Sequence, residues 1–297
     1  MKQLSLLFIA TILTLSSFAF ETGTDTVKYW KSKYESAIGF SQTSLTNWTK
    51  GGENSVSVKA MINIFEDYSK GKFTWNNYLG AAYMIQKQQS TNWRKADDKL
   101  NLFTKAGIYA WKHWDYTGLL EFKSQFSNGY NYPNDSVYTS KFMAPGYFQL
   151  SIGLSYKPVD YFSVLLSPIG ARLTVVNDQT LSDQEAYGVK KGEKSLLQAG
   201  ASVNAIIKKD LFKNVSLLSK LDLFNNYLKN PQNIIVSWEN NLLLKFTKYI
   251  SVNLATMLIY DDNILYKDPK DTSTDKGSPK TQFMETLSVG FTYTLSR

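Results

Sequence analysis

Apolar and polar positions alternate along almost the whole chain. From Ser55 to Ile64 the even residues Val56, Val58, Ala60, Ile62 and Ile64 are apolar, while Ser55, Ser57, Lys59 and Asn63 are polar. From Tyr147 to Lys157, Phe148, Leu150, Ile152, Leu154 and Tyr156 alternate with Gln149, Ser151, Gly153, Ser155 and Lys157. The same period runs through 197–207, through 234–246 and through 283–295. A period of two marks a strand with two unlike faces. Weaker alternation fills 33–43, 72–86, 99–111, 114–127, 161–176, 215–227 and 250–260. The pattern predicts twelve strands of about 10 to 16 residues, against about 5 to 6 in soluble sheets.

The connections between these strands alternate in length. Short ones fall at Ser69-Lys70-Gly71, Lys112-His113, Pro158-Val159-Asp160, 208–214 and Thr247-Lys248. Longer ones occupy 44–54, 87–98, 128–145, 177–195, 228–233 and 261–280. Short turns at one end and long loops at the other characterise outer-membrane barrels. The expected fold class is therefore all-β: a single transmembrane antiparallel β-barrel of about twelve strands, with short periplasmic turns and longer extracellular loops. A soluble sandwich also alternates, but its polar face is rich in charge, whereas here it is mostly Ser, Thr, Asn, Gln and Gly. Trp75, Trp111, Trp114, Tyr161, Tyr249 and Tyr34 gather near the short turns, as an aromatic girdle would.

The first residues read as an export signal. Lys2 precedes an apolar run from Leu4 to Leu15, and Ser17-Phe18-Ala19 is a small-x-small cleavage site. The expected organisation is a signal peptide over 1–19, a short periplasmic segment over 20–32 and the barrel over 33–297. Composition then removes most enzyme chemistry. The chain of 297 residues has no Cys and one His, which leaves neither thiolate chemistry nor a His-based metal site. That one His, His113, falls in a tight turn, so no enzyme activity and no cofactor are expected. The net charge of +8 is spread in isolated pairs such as Lys190-Lys191 and Lys208-Lys209, so no nucleic-acid partner is expected. The partners this reading leaves are outer-membrane lipid and lipopolysaccharide, the barrel-assembly machinery and envelope proteins.

Several segments carry a resemblance. FSQTSLTNWTKGGENSVSV (Phe40 to Val58), Asp97-Asp98, SQFSNGYNYP (Ser124 to Pro133) and MAPGYFQLSIGLSYKP (Met143 to Pro158) are similar to a Bacteroidota family. LLSPIGARLTVV (Leu165 to Val176), KLDLFNNY (Lys220 to Tyr227) and LIYDD (Leu258 to Asp262) extend the resemblance over the mature chain. The family is one of outer-membrane barrels known as a domain of unknown function. Its most specific piece is the extracellular loop motif Asn47-Trp48 with Gly51-Gly52-Glu53-Asn54. The resemblance implies fold and an outer-membrane location but assigns no catalytic residue.

Candidate functional residues lie on the inward parity. Twelve strands about 4.8 Å apart and tilted by about 40° give a backbone radius of roughly 12 Å. Lys59, Lys105, Lys123 and Lys220 with Glu121, Asp222 and Glu239 are expected as a charge belt near mid-height. Arg172 joins them if a bulge near Pro168-Ile169-Gly170 shifts the parity of its strand. Five bases against three acids predict a narrow lumen with mild anion preference; a closed plug of bridged side chains is the alternative. Asp97, Asp98, Asp261 and Asp262 are weak candidates for Ca²⁺, weighed against a plain role at strand ends. The expected function is a narrow channel or uptake barrel for small polar solutes. Its alternative is a non-transporting structural or partner subunit of an envelope complex, and a minor one is an outer-membrane enzyme.

Overall fold

The computed structural model describes residues 29–45, 53–247, 249–266 and 277–296. The predicted signal peptide, most of the 20–32 segment and Asn47, Trp48, Gly51 and Gly52 lie outside the described residues. Twelve long strands form one closed antiparallel barrel. They are β1 (Trp30–Thr43), β2 (Ser55–Lys70), β3 (Phe73–Gln88), β4 (Arg94–Trp111), β5 (Trp114–Ser124) and β6 (Gly146–Val159). The circuit continues with β7 (Phe162–Val175), β8 (Ser195–Phe212), β9 (Val215–Asn226), β10 (Ile234–Lys245), β11 (Ile250–Tyr260) and β12 (Gln282–Ser296). Each strand pairs with its sequence neighbours, and β12 pairs back onto β1. Closure removes the free edges that would otherwise leave backbone groups unpaired in lipid. Among the described residues no helix is long and apolar enough to cross a membrane.

The two ends differ as the connection lengths predict. Gly71-Lys72, Lys112-His113, Asp160-Tyr161 and Lys213-Asn214 are two-residue turns at one end. At the other end the β5–β6 and β7–β8 loops fold together around Ala144, Val176, Leu181 and Val189, with Tyr138 and Tyr187 packed against them. The Tyr187 hydroxyl donates to the Thr139 carbonyl at 2.7 Å and joins the two loops. Asp178 caps the short helix Gln179–Asp183 by accepting from Leu181 N–H at 3.0 Å. The same carboxylate takes the Lys141 ammonium at 2.8 Å and the Tyr138 hydroxyl at 3.1 Å. These loops form a packed lid on one side of the barrel mouth.

The parity change in β7 has a visible cause. Opposite β6 and β8 the register slips between Ile152 and Leu154 and between Gly200 and Ser202, around Pro168-Ile169. Leu166 and Ile169 stay on the outer face at 42% and 67% exposure, and Arg172 turns inward. Proline is tolerated there because a bulge needs no ladder hydrogen bond from it.

Candidate functional site in the barrel lumen

Inward-facing charges meet across the barrel. Lys123 on β5 holds Asp222 of β9 at 2.7 Å, Glu121 on its own strand at 3.2 Å and Glu239 of β10 at 3.8 Å. Asn204 on β8 donates to the second oxygen of Asp222 at 2.8 Å. Lys59 on β2 pairs with Asp97 of β4 at 3.0 Å, and Arg172 pairs with Asp261 just past β11 at 3.0 Å. The Arg172 guanidinium also stacks on Tyr147, 4.7 Å from the ring centre. Buried charges are tolerable when paired and hydrogen-bonded in this way. Lys105 faces inward but sits lower, between Asn76 and Leu119 in the ladder and toward the Trp111–Trp114 turn, apart from the Lys123 cluster.

Two contacts span the full lumen. Lys220 on β9 lies 3.6 Å from the ring centre of Tyr78 on β3, half the circuit away. Lys208 on β8 lies 4.0 Å from the ring centre of Phe65 on β2, again half the circuit away. A round section of about 12 Å radius would hold these pairs apart, so the barrel is flattened along this direction. Phe65, Tyr78 and Phe103 stack at 5.0 and 5.2 Å along one wall. Tyr78 lies flat because Gly80 leaves room: a Cβ at Gly80 would collide with its hydroxyl. That hydroxyl donates to Asn63 at 2.9 Å.

Above this closure, toward the long loops, lies a vestibule of about 460 Å³. Its floor includes Glu121, Lys123, Asp222 and Glu239, and a smaller cavity of about 90 Å³ lies below, beside Tyr78 and Lys220.

The residues anticipated from sequence sort as follows. Lys59, Glu121, Lys123, Arg172, Lys220, Asp222 and Glu239 converge on this closure or on the vestibule above it. Asp97 and Asp261, weighed as strand-end or Ca²⁺ carboxylates, instead point into the lumen and neutralise Lys59 and Arg172. With them the five anticipated bases meet five acids, while Lys99, which lines both cavities, and Lys208 have no carboxylate partner among the described residues. Asp98 accepts from Lys95 at 3.0 Å and from the backbone of Phe126 and Ser127. Asp262 accepts from Asn233. Among the described residues no group of three or more His, Asp or Glu is arranged to hold a metal ion. Of the loop motif, Glu53 accepts from the Ser90 hydroxyl at 2.6 Å, and that bond with the Ser90 N–H lowers its pKa. Asn54 bonds Gln89 at 3.2 Å, so both residues tie the β1–β2 loop to the β3–β4 turn. His113 sits in its two-residue turn at φ 66°, edge-on to Tyr156.

The outer face explains where the barrel resides. Ile38, Leu120, Leu150, Leu197, Leu287 and Phe291 stand exposed at 43–68% with no protein against them. Near the short turns Trp30 packs on Tyr68 and Trp75, and Trp111 stacks on Trp114 at 5.9 Å, forming the expected girdle. A closed barrel with an apolar band and an aromatic rim is an outer-membrane barrel. The model of one family, Protein of unknown function (DUF3078), matches residues 40–130. That stretch contains the Phe40–Val58 segment and Asp97-Asp98, but none of the resembling segments from Met143 onward. A search of curated proteins finds no match.

Three solved structures are similar over nearly the full chain. The translocator domain of autotransporter NalP from Neisseria meningitidis is 10% identical with a TM-score of 0.36, covering 97% of this chain and 95% of that one. An outer-membrane channel from Pseudomonas putida F1 is 10% identical at 0.38, covering 92% and 100%. Outer membrane phospholipase A from Escherichia coli is 15% identical at 0.34, covering 93% and 94%. At these values the likeness says nothing of function, and closure of the barrel rests on its own ladders.

Proposed function

We propose that the protein is a barrel closed at rest, a structural or partner subunit of the outer membrane rather than an open porin. The observation that carries this reading is the pair of contacts Lys220–Tyr78 and Lys208–Phe65 between strands half a circuit apart. Beside them Lys123 binds three carboxylates at once, so the charges that would attract ions are spent on each other. A second reading, a narrow uptake barrel for small polar solutes, is favoured by the vestibule of about 460 Å³ that opens above the closure. It requires the Lys123 cluster to part for each solute. Conductance of the purified protein in a planar bilayer separates the two. The closed barrel gives no steps above the bare membrane, whereas a combined Lys123→Ala, Lys220→Ala, Tyr78→Ala and Lys208→Ala variant gives an ohmic pore. Steady ohmic conductance of the unaltered protein overturns the closed reading.

A further inference from the structure

The vestibule has two unlike walls. Toward β4–β7 it presents Lys95, Lys123 and Arg172; toward β9–β12 it presents Phe224, Ile235, Met257, Ile259 and Met284, beside Asp222, Glu239 and Asp261, which pair across the space with Lys123 and Arg172. A cavity of this volume lies in the range of small-molecule sites, about 300–1,000 Å³. Every carboxylate of the lining is already held by a base, and of the four bases on the β4–β7 wall only Lys99 has no carboxylate partner among the described residues, outnumbered by six acids, so a ligand bearing net charge gains little. Two buried groups on that wall do lack partners among the described residues: Asn101 Oδ1, an acceptor, and Gln125 Nε2, a donor. A hydroxyl satisfies both kinds.

The apolar wall adjoins the weakest closure of the barrel. The β1–β12 ladder runs only from Lys33–Ser296 to Phe40–Val289, whereas β12 begins at Gln282 and β1 continues to Thr43. Met284 therefore lies on a stretch of β12 that has no ladder partner on β1. The topmost rungs close tightly, because a Cβ on Gly290 would collide with the Ile38 carbonyl.

On the lipid side a polar row leads to the same place. Ser219, Asn240, Thr256 and Glu285 are directly opposed in successive ladders across β9 to β12. Ser219 donates to Asn240 at 2.7 Å, and Asn240 donates to Thr256 at 3.2 Å. Polar groups on a lipid-facing surface are costly and mark function by default. The row ends at the exposed carboxylate of Glu285, one residue from Met284.

We propose that the vestibule binds a neutral amphipathic molecule, an apolar chain with a hydroxyl or amide head, which exchanges with the bilayer through the upper β1–β12 seam. The proposal rests on the reading that the lumen is closed beneath the vestibule: the ligand returns to the membrane instead of passing through. Its head follows the polar row, meets Glu285 as an acceptor, and settles toward Asn101 and Gln125 while the chain packs on Met257 and Met284.

The test uses the full barrel in phosphatidylcholine nanodiscs with ¹³C-methyl methionines. Titration with 1-monodecanoylglycerol shifts the Met257 and Met284 methyls saturably and leaves Met61, on the lower cavity, unmoved. Decanoate and decyltrimethylammonium, of equal chain length, bind at least tenfold more weakly. Joining Gln42→Cys to Leu287→Cys with a short bis-maleimide slows exchange at least tenfold, in a chain with no other thiol. Equal shifts from all three probes, or no saturable shift, overturn the site; exchange unchanged by the bridge overturns the lateral route. An open pore in the bilayer together with saturable shifts overturns the closed-lumen reading alone, and a closed pore without shifts overturns the site alone.

Discussion

Ser219 and Lys220 are neighbours in the chain, as are Glu239 and Asn240, yet one of each pair faces the lumen and the other the lipid. Inside, Lys220 covers Tyr78 and Glu239 joins the Lys123 cluster, so polar groups are bound to partners across the barrel. Outside, Ser219 and Asn240 bond only to close neighbours on the same face, along their row and, for Ser219, with the Trp238 indole donating at 3.0 Å. The inner face is thus held by long-range pairs whose loss leaves a buried charge, the outer by short local ones. Substitutions of similar size on the two faces therefore differ in cost.

The largest effect is expected at Lys123. Replacing it with Ala leaves Glu121, Asp222 and Glu239 facing each other, a loss of about 3–5 kcal/mol for a broken buried pair. The temperature at which the fast-migrating unboiled form disappears in SDS should fall sharply. An unchanged temperature would mean that the cluster does not brace the barrel. Gly290→Ala comes next. Its Cβ meets the Ile38 carbonyl, and the strain of overpacking, about 1–3 kcal/mol, falls on the closing seam. Faster hydrogen exchange should then appear in β1 and β12 before β5 and β6.

The lid responds separately. Asp178→Ala removes a helix cap and the Lys141 contact, a local loss of about 1–2 kcal/mol, visible as faster proteolysis within 176–194 while the barrel melts unchanged. Burial works to raise the Asp178 pKa, but bonds from Lys141, Leu181 N–H and Tyr138 outweigh it and hold the carboxyl below its usual value. The Asp178 bond in turn raises the pKa of Lys141. A depressed carboxyl stabilises above its unfolded pKa of about 4 and loses that contribution as pH falls through its folded value. Lid protection should stay flat from neutral pH down to about 5 and decline only below about 4. The smallest effect is expected on the outer row: Asn240→Leu should change stability by under about 1 kcal/mol. A loss as large as that at Lys123 would erase the contrast between the two faces.

Much of this was legible in the alternation. All twelve strands follow from the period of two, and the Arg172 phase shift follows from Pro168 interrupting it. The outer row also left a trace: Asn240 and Glu285 are the gaps in the apolar parity of β10 and β12. Only register aligns those gaps with Ser219 and Thr256, and no single strand reveals its neighbour's register. Asp97 was misplaced because β4 starts at Arg94, past a register shift opposite Met84–Ile85, and so carries five more residues than its pattern shows. The contacts across the lumen were out of reach for a different reason. They depend on how far the barrel flattens, which is a property of the closed wall.

Closure of the lumen is tested most directly on a single strand. Gln149 and Lys157 share the inward parity of β6; Gln149 lines the vestibule, and Lys157 sits by the short turns with its side chain 52% exposed. Each is replaced by Cys in a chain that otherwise has none, and a small membrane-impermeant maleimide is added on the loop side of oriented membranes. Rapid labelling of Gln149→Cys, with Lys157→Cys labelled only from the turn side, is the result the closed barrel predicts. Equal labelling of both from the loop side would contradict it.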